Sequence, residues 1–270
     1  MWTDTQQIRQ VMVPVAKSIT CVAASAEELY VVVSQTKDQL HVYDTKNWKF
    51  KHHLSVPSLQ SSAQNDLAFS TRLRCLYLSN HVGKCVHRLE LPHGMSKWSI
   101  TEHPYGVSVS QNSNVLVTCR QTSKLLEFTG LGNFLREIQL DVTSPWHSIQ
   151  MSSDRFLVAH GQAGDAARRL LVVDESGKVQ RSSMHCGCGR LNLPRHCAVA
   201  DDGCVYLVAV SNQRIILMSP DLQYVRDVCR GNEDLTWWPT RVCLDPTSKH
   251  LYVVDSSTES GRVVVCDIKR

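Results

Sequence analysis

Apolar positions along this chain fall in short runs rich in Val, Ile, Leu and Tyr. Polar turns such as Asp-Gly, Ser-Asn and Pro-Thr-Ser close them. Runs of this length and composition predict β-strands rather than helices. One order recurs: a start often marked by proline, a short apolar strand, a polar turn, a second apolar strand, a loop and a third strand. The clearest copy is PRHCAVADDGCVYLV at residues 194–208, continuing through SNQR to IILM at 215–218. Further copies occupy 104–117 with 124–128, 145–158 with 169–173, and 239–253 with 262–265. Two fainter ones lie upstream, at 18–22 with 29–33 and at 66–69 with 73–78. Aligned, the six begin near residues 17, 64, 104, 145, 194 and 239, with spacings of 47, 40, 41, 49 and 45.

Strand-rich repeats of this length are the blades of a β-propeller. Six copies predict an all-β, six-bladed propeller of four-stranded antiparallel blades, one domain spanning 1–270. The last copy ends at its third strand, and residues 8–15 (IRQVMVPV) are strand-like and spare. They are expected to supply the missing outer strand, closing the ring and covering an open sheet edge. Gly and Pro together number 22 of 270. That is low for a turn-rich protein, so Asn, Ser and Asp must shape many of the turns.

Composition narrows the class. With 43% hydrophobic residues the chain can bury a core, which excludes a disordered protein. A net charge of +4 falls short of a dedicated nucleic-acid arm. No apolar run is long enough to span a membrane as a helix, and residues 1–10 carry no signal-like apolar stretch. Eleven cysteines, an odd number, are scattered mostly singly through apolar runs. They are expected to be reduced, small buried hydrophobes in a cytoplasmic protein. The one cluster is His185-Cys186-Gly187-Cys188, whose Cys-x-Cys spacing is tighter than structural zinc sites use.

The pattern Pro-x-(Gly/His)-apolar, then Asp-Gly-x-Val-Tyr-x-Val, then Asn-x-Arg-Ile resembles the NHL repeat. Residues 194–218 match it best, with Asn212, Arg214 and Ile215 carrying the most distinctive part. Gln39-Leu40 and Lys84-Cys85 depart from it at the third strand. The chain is similar to the C-terminal NHL propellers of tripartite-motif ubiquitin ligases, although residues 1–17 hold no Cys/His spacing of a RING or B-box. The resemblance implies a non-catalytic scaffold that recruits a protein partner, with substrate recognition in a ubiquitin-ligase pathway as its role. It implies no cofactor. Single-stranded RNA binding is one alternative, and a metal-dependent lyase or hydrolase is another.

In such a ring, the strand starts and the loops between second and third strands share one face. That face is expected to carry Tyr105, Arg120, Trp146, His147, Arg195, His196, Trp237 and Arg241, aromatics interleaved with Arg and His. These groups suit a protein interface or stacked bases with phosphates. Each residue taken singly could equally cap a blade. His147 and His196 match in adjacent blades. With His160 they are the candidate metal ligands, against which Asp66 is the only acid at an inner-strand start. Arg169, Arg214 and Arg262 recur where third strands begin and are expected to tie neighbouring blades together. No nucleophile, phosphate-cradling loop or triad order is defensible. Oligomeric state is left open.

Overall fold

The computed structural model describes residues 8–11, 19–34, 38–60, 62–92, 94–161, 169–186, 189–230, 238–245, 247, 249–256 and 261–268. Each blade is a four-stranded antiparallel sheet. Blade 1 runs Ile19–Ala24, Glu28–Val33, Gln39–Asp44 and Phe50–Ser55. Blade 2 runs Asp66–Ser70, Cys75–Asn80, Cys85–Glu90 and Met95–Ser99. Blade 3 is Pro104–Val109, Val115–Cys119, Lys124–Phe128 and Phe134–Gln139; blade 4 is Pro145–Ser152, Arg155–His160, Arg169–Asp174 and Val179–Ser183. Blade 5 is Pro194–Val199, Val205–Ala209, Arg214–Met218 and Tyr224–Arg230. Blade 6 has three strands of its own, Pro239–Asp245, His250–Asp255 and Arg262–Asp267. The fourth is Ile8–Val11, antiparallel to the third with Ile8 opposite Cys266 and Val11 opposite Val263. The closing strand is therefore where the spare N-terminal segment is expected; residues 12–15 lie outside the described set.

Each blade buries both faces against its neighbours. Six apolar clusters occupy the six interfaces. One packs Val208, Val228 and Ile215 of blade 5 on Val242, Val253 and Val264 of blade 6. Second and third strands are consequently buried along nearly their whole length, whereas the outer strand Phe50–Ser55 is exposed. Each outer strand meets solvent on one side, so its sequence carries little apolar pattern.

The scarcity of glycine is met by other residues in the left-handed region. Asp38, Lys84, Ser123 and Gln213 each take φ between 47° and 56° just before a third strand. Ser113 at 63° and Ser144 at 54° are left-handed elsewhere. Where packing is tight, glycine remains. Gly177 has φ +83°, and an added Cβ would lie 1.8 Å from the Gln139 carbonyl oxygen of blade 3.

Two of the three recurrent arginines, Arg214 and Arg262, pair inside their own blades, whereas the buried Nε of Arg169 has no acceptor among the described residues. Arg262 Nε donates to Asp255 Oδ2 at 2.7 Å, and Arg214 donates to Asp227 Oδ2 at 2.5 Å. The expected ties between blades are replaced by short ties within one. The reason is that the paired acids sit on the adjacent strand of the same sheet.

Nine cysteines have described side chains, and all nine are free thiols. Seven are buried, and Cys229 and Cys266 approach to 3.3 Å across the interface of blades 5 and 6. A mild disulfide-forming oxidant is expected to join Cys229 to Cys266 ahead of any other described pair. Peptide mapping checks this, and a different first pair would contradict the packing. The His185-Cys186 segment forms a two-residue hairpin with Gly189–Arg190 between blades 4 and 5. No described helix is long and apolar enough to cross a membrane.

Candidate functional site at the channel mouth

One irregularity builds the site. In five blades the innermost strand carries a bulge just after its first residue, so that residue pairs normally, the second is skipped and the third resumes the ladder. Bulges bend the strand and re-aim side chains. The skipped residues are Thr20, Tyr105, Trp146, Arg195 and Thr240. The third residues are Cys21, Gly106, His147, His196 and Arg241, and Asp66 holds the equivalent position in unbulged blade 2, opposite Ser79. The motif Pro-x-His thus sends two neighbouring side chains to different levels: x to the rim, His into the channel.

The third residues form a buried ring, one from each blade. Asp66, His147, His196 and Arg241 are 1%, 2%, 7% and 5% exposed. Asp66 from blade 2 reaches across the channel to His196 Nε2 of blade 5, at 3.3 Å. Arg241 Nε lies 3.3 Å from Asp66 Oδ1, and His147 Nε2 lies 3.7 Å from Oδ2. The Val107 backbone N–H donates to Oδ2 at 3.0 Å. Arg241 also donates to the carbonyls of Ala63, Asn65 and Thr240. The two imidazoles stack with centroids 3.7 Å apart. Gly106 leaves the space they need, since a Cβ there would lie 3.0 Å from His147 Cδ2.

Charge follows from this packing. Burial would raise the Asp66 carboxyl, but His196, Arg241 and His147 outweigh it and hold it well below the usual carboxylate range. Burial pushes His147 far down, reinforced by His196, and it pushes His196 down against the pull of Asp66. Both imidazoles are neutral at pH 7. Burial also pushes the Cys197 thiol up, so it stays protonated and donates toward His147 Nδ1 at 3.4 Å. That leaves His147 Nε2–H facing Asp66. Asp66 and Arg241 balance, and the ring is a neutral plug.

Asp66, His147 and His196 offer three ligand atoms within 4.8 Å of one another. A cation there would face the Arg241 guanidinium, which already occupies the carboxylate. His160 is not in this group; its Nδ1 lies 3.3 Å from the Thr143 carbonyl oxygen. Of the three candidate ligands, two converge and the third serves its own blade.

Above the plug, the skipped residues of blades 3, 4 and 5 make the rim. Tyr105 and Trp146 meet edge to face at 5.9 Å, and His81 packs on Tyr105 at 4.5 Å. Trp146 Nε1 donates to the Gly161 carbonyl at 2.7 Å, which fixes the indole. The Arg120 guanidinium lies 3.9 Å from the Trp146 ring centroid and that of Arg195 lies 5.0 Å from it. The expected binding set therefore divides. Tyr105, Arg120, Trp146 and Arg195 gather at the rim, while His147, His196 and Arg241 lie below it in the plug. Trp237 falls outside the described residues, and its neighbour Trp238 is 41% exposed. The sequence alignment exposed the matching histidines. It missed the contact between Asp66 and His196, which are 130 residues apart, and the plugging role of Arg241.

No family model and no curated protein matches the sequence. Solved structures match the fold across nearly the whole chain. Virginiamycin B lyase from Staphylococcus aureus superposes with a TM-score of 0.69 at 10% identity, covering 98% of this chain and all of that one. The WD40 β-propeller domain of Doa1 gives 0.66 at 12% identity, with 98% of each chain covered. Hydrazine synthase of Kuenenia stuttgartiensis gives 0.65 at 13%, covering 94% and 96%. At such identities the likeness establishes the six-bladed propeller fold and nothing finer. The fold itself fits a binding scaffold.

Proposed function

We propose that this chain is a non-catalytic scaffold that recruits a protein partner through its channel mouth. The observation that carries the reading is the rim. Partly exposed Trp146, Arg120 and Arg195 make one aromatic and cationic surface backed by buried Tyr105, built from the residue types that anchor protein interfaces. The neutral plug beneath it supports binding over catalysis, because its one carboxylate is engaged by Arg241, His196 and the Val107 N–H. No cofactor is required. The NHL-like residues at 194–218 extend the reading to substrate recognition in a ubiquitin-ligase pathway, in the manner of tripartite-motif proteins.

A photo-crosslinking residue at exposed Gln121, beside Arg120, tests it, with a second at Arg74 on the opposite face as control. Partner proteins are expected to crosslink from position 121 only, and to be lost in a Trp146→Ala background. Buried aromatic anchors contribute about 2 kcal/mol or more, or roughly a thirtyfold loss of affinity. Equal labelling from both faces would sink the proposal. Labelling of RNA alone from position 121 would replace it with the nucleic-acid reading.

A further inference from the structure

We infer that the channel mouth is an oxyanion receptor, and that Arg120 and Arg195 grip the carboxylates of an acidic segment on the recruited protein. This rests on the scaffold reading above and specifies the chemistry of its partner.

Two unbalanced cations share one ring. Both guanidiniums lie within reach of the Trp146 face, and Arg120 also lies 5.5 Å from the Tyr105 ring centroid. Neither has a carboxylate partner among the described residues, and the buried Nε of each has no hydrogen-bond acceptor. A buried donor without an acceptor costs stability, more so when charged. Arg214 and Arg262 behave differently, each with its Nε or Nη1 on an acid; the buried Nε of Arg88 and of Arg169 is unpaired among the described residues too, but Arg88 holds Glu90, and neither lies against the Trp146 ring.

The surroundings make the imbalance worse. Burial pushes Arg195 down to about 9, and Arg241 and Arg120 add to the fall. Asp66 is the one acid below, and Arg241 already neutralises it. Two like charges therefore lie against one indole over a neutral plug, and its ring quadrupole offsets only part of their repulsion. Carboxylates placed against them would supply the missing acceptors and the opposing charge. Guanidinium forks match carboxylates in geometry. Trp146 beside them, partly exposed, would take an apolar side chain flanking the acid.

An acidic peptide fits better than a nucleic acid. Among the described residues, the two unpaired guanidiniums at the rim belong to blades 3 and 5. The equivalent skipped residues in blades 1 and 6 are Thr20 and Thr240, so the described strand starts offer no continuous basic track for a backbone to follow.

The probes are a fluorescent peptide of about eight residues alternating Glu and Leu, its Gln-for-Glu counterpart and an oligouridylate of similar length. Against the full chain at low salt, the Glu peptide is expected to bind about tenfold more tightly than the Gln peptide. Arg120→Gln and Arg195→Gln should each erase most of that difference while leaving the melting temperature unchanged or raised, since each removes a repelling neighbour. Should either variant fold poorly, the Glu-to-Gln ratio on the unaltered protein decides alone. Equal binding of the two peptides, with loss in Trp146→Ala, would overturn the carboxylate grip and leave the scaffold intact. No binding of the Glu peptide, or tighter binding of the oligouridylate, would also overturn it. Absence of crosslinked partners at position 121 would instead strike the scaffold reading itself.

Discussion

Replacing Asp66 with Ala is expected to destabilise the propeller by about 3–5 kcal/mol, because it strands a buried guanidinium. Arg241 would keep its carbonyl acceptors but lose its counter-charge, His196 Nε2 would lose its acceptor, and the Val107 N–H would be orphaned. For a chain of this size that is a fall of roughly 10 °C in melting temperature. A second substitution separates the charge effect from packing. Arg241→Met in the Asp66→Leu background removes both charges, and it should recover at least half of the loss. Calorimetry on the four proteins of the cycle checks it. Additive losses would mean that the two side chains do not interact.

The same plug contributes to the response to acid, together with His41 and His81, whose pKa values burial also lowers. His147 and His196 have depressed pKa values when folded, so below about pH 6.5 the unfolded chain binds more protons and stability falls with pH. His87, held at about 4 by burial, acts in the same direction. Asp66 is also depressed, so its contribution is fully present above about pH 4 and fades only below that. Melting temperature should therefore be level above about pH 7 and decline from about pH 6.5 downward, well before ordinary carboxylates titrate. His196→Asn should flatten the upper part of that decline. A profile level down to about pH 5 would contradict the neutral plug.

Deleting residues 1–15 is the second large effect. It removes the outer strand of blade 6 and bares the backbone edge of Arg262–Asp267, whose Val263, Val264 and Val265 are otherwise buried. An open, apolar edge templates pairing with another chain. The deleted protein is expected to pass largely into the insoluble fraction. What stays soluble should elute as oligomers and melt roughly 10 °C lower. A monomeric, cooperatively folding deletion product with an unchanged melting temperature would rule out closure through Ile8–Val11.

The fold was legible because each blade's second and third strands are buried on both faces. Burial on both sides demands unbroken apolar runs, such as Leu-Tyr-Val-Val-Val at 29–33 and Arg-Leu-Leu-Val-Val at 169–173, and these show plainly in a single sequence. The proline starts at 104, 145, 194 and 239 coincide with the observed first residues of their strands, and the two fainter copies begin two residues later than expected, at Ile19 and Asp66. The outer strands left no comparable trace. Phe134–Gln139 and Val179–Ser183 face water over most of their length, so selection on burial does not shape them.

The site divides along the same line. That Trp146, Arg195 and the two histidines recur after proline is a local fact, readable from spacing. Which of two adjacent side chains lies at the rim and which lies in the channel depends on a bulge, a backbone event with no residue signature of its own here. The partners of Asp66 depend on closure of the ring, which brings residues 66, 147, 196 and 241 from four blades to within hydrogen-bonding reach. Local pattern specified the strands, their number and the closing segment, because those follow from burial along the chain. The division of rim from plug came from contacts across the channel, because charge pairing depends on distances that no linear pattern encodes.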